Sequence, residues 1–274
     1  MNALTDLVAA GGVCVLSGAG ISTESGIPDY RGPGGASRRV SPMTYQTFIR
    51  DPDARRRYWA RSHLGWQTIM RAAPNAGHLA VADLQAAGVL AGVLTQNVDG
   101  LHQAGGARDV VELHGNLDRV VCLDCGAGSG RADLHARLQA ANPGFTTLAA
   151  RVNPDGDAEL ADAQMAAFTT VDCVRCRDGM LKPDVVFFGE SVPAARVLRS
   201  FALVERSRAL LVLGSSLTVM SGRRFVLRAA KLGIPVAIVN LGPTRGDPYA
   251  CLTVDAPLGE VLPGLVRGLG LVTA

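Results

Sequence analysis

The sequence predicts an α/β chain: a Rossmann-like, doubly wound parallel sheet carrying a smaller domain formed by two insertions. Three observations predict it. Short continuous apolar runs recur, as strands buried on both faces require. Helical patterns lie between them. Two long segments, 34–74 and 119–180, interrupt the alternation. The runs are Val13 to Leu16, Gly92 to Thr95, Leu210 to Leu213 and Val236 to Val239. Each ends in a small or polar cluster: Ser17-Gly18, Gln96-Asn97, Gly214-Ser215-Ser216 and Asn240-Leu241-Gly242. In an open parallel sheet the ligand sits outside the carboxyl ends of the strands, so all four clusters fall on one ligand-bearing edge.

The first run breaks into Gly18-Ala19-Gly20, where backbone N–H groups can approach a pyrophosphate whose charge the next helix N-terminus favours. This points to a dinucleotide. The usual fingerprint has a third glycine where Thr23 stands, and no acid at the end of a clear second strand awaits the ribose. A hydride-transferring dehydrogenase is therefore poorly matched. Ser22, Glu24, Pro28, Asp29, Tyr30 and Arg31 follow, too polar for a packing helix, and read as a ligand-gripping loop.

Segment 34–74 holds no buried strand but does hold a helix opened by Asp51-Pro52. A helical pattern spans His78 to Ala87. After the second run, Gln96-Asn97-Val98-Asp99 sets an amide and a carboxylate two residues apart, a pair able to read an amide substituent on a ring. Glu112-Leu113-His114-Gly115-Asn116 then offers a histidine directly after an apolar run. His114 is the general-base candidate and His102 its competitor, with a structural histidine as the plainer alternative.

Segment 119–180 carries Cys122/Cys125 and Cys173/Cys176, two CxxC pairs separated by 47 residues. Four thiolates at that local spacing suit one structural tetrahedral zinc; a redox dithiol needs only one such pair. Asn153-Pro154-Asp155-Gly156-Asp157 resembles the start of a calcium loop but lacks the downstream bidentate acid, and reads as a turn. A last helical pattern runs from Gly222 to Leu232. Residues 1–33, 75–118 and 181–274 are thus assigned to the sheet domain, and 34–74 and 119–180 to the small helical, zinc-binding one.

Composition narrows the partners. With 274 residues, 48% hydrophobic and 19% charged, the chain can bury a full core. It has no apolar run long enough for a membrane span and no basic signal region, so a cytoplasmic, membrane-free protein is expected. The net charge is +3 and the lysines are only Lys182 and Lys231, which argues against a nucleic-acid partner. Cys14 and Cys251 are expected to be small buried hydrophobes, and a monomer is the default.

The ordered motifs resemble the sirtuin family of NAD-dependent protein deacylases along nearly the whole chain. They are Gly18 through Arg31, Gln96-Asn97-Val98-Asp99, Leu113-His114-Gly115, the two CxxC pairs, Lys182-Pro183-Asp184-Val185-Val186-Phe187-Phe188-Gly189-Glu190, Gly214-Ser215-Ser216 and Asn240-Leu241-Gly242. Arg57-Tyr58-Trp59-Ala60-Arg61, Pro154 to Asp157 and Gly242-Pro243-Thr244-Arg245 are similar to the class II branch, which includes the mitochondrial member of animals.

The resemblance implies that an acyl-lysine carbonyl attacks the nicotinamide ribose and releases nicotinamide. His114, as general base of near-neutral pKa, would then activate a ribose hydroxyl on the way to free lysine and O-acyl-ADP-ribose. It also implies that Asn97 and Asp99 hold the nicotinamide amide with Val98 beside them, Gln96 the ribose, and Gly18, Ala19, Gly20, Gly214, Ser215 and Ser216 the phosphates. Ser22, Glu24, Pro28, Asp29, Tyr30 and Arg31 would close over NAD, while Asn240, Leu241, Gly242 and Leu258 line its adenosine end. Val185, Val186, Phe187, Gly189 and Glu190 would offer an edge to an acyl-lysine peptide, by strand addition.

Tyr58 and Arg61 lie three apart on a helix face, where a similar pair in the class III branch reads acyl carboxylates. The acyl group is accordingly expected to be acidic, branched or lipoyl-type, with Arg61 as partner of an acid; a solvated helix face is the alternative. Two other functions fit the same motifs: mono-ADP-ribosyl transfer, and a non-catalytic zinc-stabilised binding module.

Overall fold

The computed structural model describes residues 2–30, 42–145, 157–158, 160 and 165–271. In chain order it builds α1 (Asn2–Ala9), β1 (Val13–Ser17), a 3₁₀ turn (Ala19–Ser25), α2 (Tyr45–Arg50), α3 (Pro52–Arg71) and α4 (Ala76–Ala86). Then come β2 (Leu90–Thr95), α5 (Leu101–Ala104), β3 (Val111–Glu112), β4 (Gly115–Cys122), β5 (Gly128–Gly130) and α6 (Arg131–Ala141). The remainder is β6 (Leu181–Val185), α7 (Ala194–Glu205), β7 (Ala209–Leu213), α8 (Met220–Lys231), β8 (Val236–Val239), β9 (Leu252–Val254) and α9 (Leu258–Gly268).

Six strands form a parallel sheet in the order β3-β2-β1-β7-β8-β9. The chain winds outward from β1 on one side and returns to β7 on the other, so the winding direction reverses between these neighbours. Alternation along β1 explains why its sequence is apolar throughout. Val13 and Val15 enter a core shared with Leu4, Val8, Val81, Leu84 and Leu262, whereas Cys14 and Leu16 enter the opposite core with Leu203, Val204, Phe225 and Val226. A strand covered on both faces has no solvent side to keep polar.

The predicted helices form, α3 with its expected start and the other two starting two residues before their patterns, at Ala76 and Met220. Asp51 caps α3, its carboxylate accepting from the N–H groups of Asp53 and Ala54 at 2.9 and 3.0 Å, and Pro52 opens the first turn. Asn75 caps α4, and the Gly222 to Leu232 pattern belongs to α8.

The second sheet has three antiparallel strands in the order β5-β4-β6. Leu117 and Val120 of β4 and Leu181 and Val185 of β6 bury against Trp59, Leu134 and Phe168, in a third core with α3 and α6. Strand β4 runs across the 118/119 division drawn from the sequence, and β6, which begins just past the 180/181 division, pairs with it. The two segments at these divisions are thus paired with each other inside the small sheet.

Two readings fall outside the described residues: Arg31, and the turn at Asn153 to Gly156. A third is corrected. Cys14 is buried, but Cys251 is exposed; it precedes the sheet-edge strand β9, and its thiol donates to the Val236 carbonyl at 3.3 Å. Among the described residues no helix is long and apolar enough to cross a membrane.

Candidate active site

At the reversal between β1 and β7 the two strand-end turns press together. The N–H of Gly18 donates to the Leu213 carbonyl at 2.9 Å and that of Gly20 to the Gly214 carbonyl at 2.8 Å. A Cβ on Gly20 would lie 2.7 Å from the Gly214 Cα, and one on Gly18 would lie 2.7 Å from the Ser215 Cβ. These glycines are required first by backbone-to-backbone approach. The segment after them is a 3₁₀ turn where the sequence suggested a helix. Thr23 folds its hydroxyl back onto the Gly20 carbonyl at 2.9 Å, and Gly26 ends the turn at positive φ.

Above this junction lies a cavity of about 1050 Å³ whose wall includes residues of all four strand-end clusters together with Pro28, Asp29, Tyr30 and Val185 to Glu190. One oxygen of Asp29, Oδ1, is buried without a hydrogen-bond partner. A polar web crosses the floor. Asn97 Nδ2 donates to the Gly18 carbonyl at 3.1 Å and to Ser22 Oγ at 3.0 Å. Ser22 donates to Asp99 Oδ2 at 2.7 Å, and Asp99 Oδ1 accepts from the Leu101 N–H at 2.9 Å. Gln96 Nε2 donates to the Ser17 carbonyl at 3.2 Å and to Ser215 Oγ at 2.9 Å. The amide and carboxylate are thus held at fixed orientation on the cavity wall.

His114 also lines the cavity. Its Nδ1 lies 2.9 Å from the Gln96 carbonyl, which can only accept, so Nδ1 carries the proton and the lone pair resides on Nε2. Nε2 meets the Ser221 hydroxyl at 2.8 Å. Burial is the main reason that the His114 pKa falls to about 4, with the Arg224 and Arg196 charges adding to it against the Gln96 bond. The near-neutral value expected from the sequence is therefore corrected: the ring is uncharged at neutral pH because ionising it would bury a charge. His102 does not border the cavity; it is buried at Ser17 Oγ, 2.8 Å away, and packs edge-on against His78.

Most residues singled out from the sequence converge here; besides His102, three of the described ones do not. Glu24 accepts from the Gly259 N–H at 3.0 Å, at the start of α9, where unpaired N–H groups attract a carboxylate. Leu258, beside it, is core. Arg61 pairs with the buried Asp157 at 3.1 Å and donates to the Ala158 carbonyl, away from the cavity. Tyr58 does border the cavity, beside Ile27, Ile69, Val98, Leu117 and Phe187.

Along the peptide-edge segment, Val186 N–H donates to the His114 carbonyl at 2.8 Å and Phe188 bridges to Thr44. Glu190 is partly spent inside the protein: it pairs with the buried Lys182 at 3.0 Å and accepts from the Phe187 N–H at 2.8 Å. Ser221 and Arg224, both on the cavity wall, escaped the sequence reading. Their only signal was a polar residue opening a helix that follows a ligand-edge strand.

The four predicted cysteines form one cluster, with all sulfurs within 4.8 Å of one another. Cys122 and Cys176 are 3.7 Å apart and Cys125 and Cys173 3.8 Å. Zinc–sulfur bonds of about 2.3 Å at tetrahedral angles put sulfurs about 3.8 Å apart, so the donor set fits zinc. A Cβ on Gly179 would lie 2.4 Å from two of the sulfurs, so the backbone there closes over the cluster.

Known proteins agree with this geometry. The profile described as "Sir2 family" matches residues 18–221. The "NAD-dependent protein deacetylase 1" of Streptomyces coelicolor is 61% identical over 98% of this chain and 89% of its own. The protein of the same name from Mycobacterium avium is 52% identical over 94% of this chain and 92% of its own. The solved complex called "Sir2-p53 peptide-NAD+" superposes with a TM-score of 0.79 at 30% identity, covering 99% of each chain.

Proposed function

The chain belongs to the Sir2 family and is an NAD-dependent protein deacetylase; from that premise we propose how its residues divide the work. NAD is the co-substrate, supplying the ribose to which the acyl group is transferred, and one zinc is held by Cys122, Cys125, Cys173 and Cys176. Asn97 and Asp99 hold the nicotinamide amide. Gln96 holds the ribose, the turns at Gly18-Ala19 and Gly214-Ser215 flank the phosphates, and Asn240 lines the adenosine end. Val185 to Gly189 take the acyl-lysine peptide.

His114 is the general base. The observation that carries this assignment is its Nδ1 bond to the Gln96 carbonyl, which leaves the basic lone pair on Nε2, against the cavity-lining Ser221. We also read the chain as class II, on Arg57 to Arg61 and Gly242 to Arg245. For the acyl group we favour acetyl, branched or lipoyl-type chains over acidic ones. The wall at Ile27, Tyr58, Ile69 and Leu117 is apolar, and Arg61 is engaged by Asp157.

Incubating the protein with NAD and a panel of acyl-lysine peptides, and following nicotinamide and O-acyl-ADP-ribose by mass spectrometry, tests the assignment. His114→Ala is expected to slow turnover about 10²–10⁴-fold with the fold retained; full activity would remove the base assignment. Labelled ADP-ribose on protein without O-acyl-ADP-ribose would instead favour the transferase reading.

A further inference from the structure

The one nitrogen of His114 that is free to act as a base faces the hydroxyl of Ser221. Nε2 and Ser221 Oγ are 2.8 Å apart, and Nδ1 is committed to the Gln96 carbonyl. Two glycines permit the close packing around this contact. Ser221 lies in the first turn of α8, and the next residue, Gly222, lets that turn approach Gln96: a Cβ there would lie 2.2 Å from Gln96 Oε1. After His114, Gly115 sits at a φ of +86, with its missing side chain directed at the Asp184 carbonyl. Ser221 itself borders the cavity. A neutral imidazole has a single lone pair, so it cannot accept from Ser221 and from a substrate hydroxyl together, whereas a serine oxygen can donate one hydrogen bond while accepting another.

We propose that Ser221 is a proton relay between the substrate ribose hydroxyl and His114, an inference that rests on the deacetylase assignment above. The ribose O–H bond breaks as its proton passes to Ser221 Oγ, and the Ser221 O–H bond breaks as its own proton passes to Nε2. The electron pair left on the ribose oxygen forms the new bond to the acyl carbon of the imidate intermediate, whose C=N π bond breaks and leaves its pair on the lysine nitrogen. Serine ends as it began, and His114 ends as the imidazolium. Burial and the Arg224 and Arg196 charges keep the ring neutral until that proton arrives.

The experiment compares wild type, Ser221→Ala and Ser221→Thr with NAD and an acetyl-lysine peptide. Wild-type enzyme that releases no nicotinamide would remove the underlying assignment. Given wild-type turnover, Ser221→Ala is expected to lower the deacylation rate at least about tenfold while exchange of labelled nicotinamide into NAD, which precedes the base's step, stays within about twofold. Its proton inventory in mixed light and heavy water is expected to change from bowed to linear, and Ser221→Thr to restore most of the rate. An unchanged or faster deacylation in Ser221→Ala overturns the relay, because the ribose hydroxyl then reaches Nε2 directly. Equal loss of exchange and deacylation also overturns it, since that is what a merely structural serine would produce.

Discussion

In the six-stranded sheet, β1 and β7 are buried residue by residue and β1 feeds two cores, one on each face. In the three-stranded sheet, β5 is exposed along its length, and the chain around it is drawn together by four thiols whose spacing fits a metal. The first region is held by apolar burial alone, whereas the second adds a four-cysteine cluster to the core that it shares with α3 and α6. The difference matters for function because the cavity is built at the first region's strand ends, while the second contributes the wall from Val185 to Glu190. The geometry of the polar web around Asn97 and His114 thus rests on the larger sheet, and the proposed peptide site rests partly on the sheet beside the cysteine cluster.

Removing the metal should break the comparison most severely. Structural zinc contributes roughly 10 kcal/mol or more to the folding of small zinc modules. Chelation, or Cys176→Ser, is therefore expected to abolish hydrogen-exchange protection in β4, β5 and β6 while β1, β7 and β8 stay protected. Uniform retention of protection would show that the small sheet does not need its cross-link.

Acid should weaken both regions. Burial is the leading cause that holds all five histidines below their ordinary pKa, with His102 at about 3 and His63 and His114 at about 4. The unfolded chain binds protons near pH 6.5 that the folded chain refuses. Stability from this source is complete above that pH and is lost as pH falls toward about 4. Denaturant midpoints from pH 7.5 to pH 5 are expected to decline steadily, with net proton uptake on unfolding at pH 5.5. A flat profile would contradict the neutral, buried state of these rings.

A smaller effect sharpens the account of the larger sheet. Gly20→Ala places a methyl against the Gly214 backbone, which cannot move aside as a flexible side chain would. About 1–3 kcal/mol of stability should be lost, with a raised KM for NAD; an unchanged midpoint would mean that the two turns are not pressed together. The smallest effect concerns specificity. Arg61→Met, which breaks the pair with Asp157, is expected to leave the ratio of succinyl- to acetyl-lysine turnover within about twofold of wild type. A large fall in that ratio would return Arg61 to the acyl site.

Much of this was legible because it depends on local rules. Strand ends show where an apolar run meets Gly or Ser, Asp51-Pro52 marks a helix start, and CxxC spacing reflects how one backbone turn presents two sulfurs. Glu24 and Arg61 were misplaced because their charges found partners on segments distant in sequence, at Gly259 and Asp157. Cys251 was misread because composition does not reveal which strand forms a sheet edge. The His114 pKa was missed for a similar reason, since burial is a property of everything packed around the ring.

By itself, the sequence determined the class of fold, the edge of the sheet that bears the cavity, the cysteine quartet and the set of polar residues available for chemistry. Periodicity, turn chemistry and ligand spacing act within a few residues, so the linear order carries them. Only the tertiary structure decided which of those polar groups face the cavity, which are consumed by distant partners, and that Ser221 meets Nε2 of His114. Those outcomes depend on strand order, which sets β1 beside β7, and on glycines whose missing side chains allow segments far apart in sequence to touch.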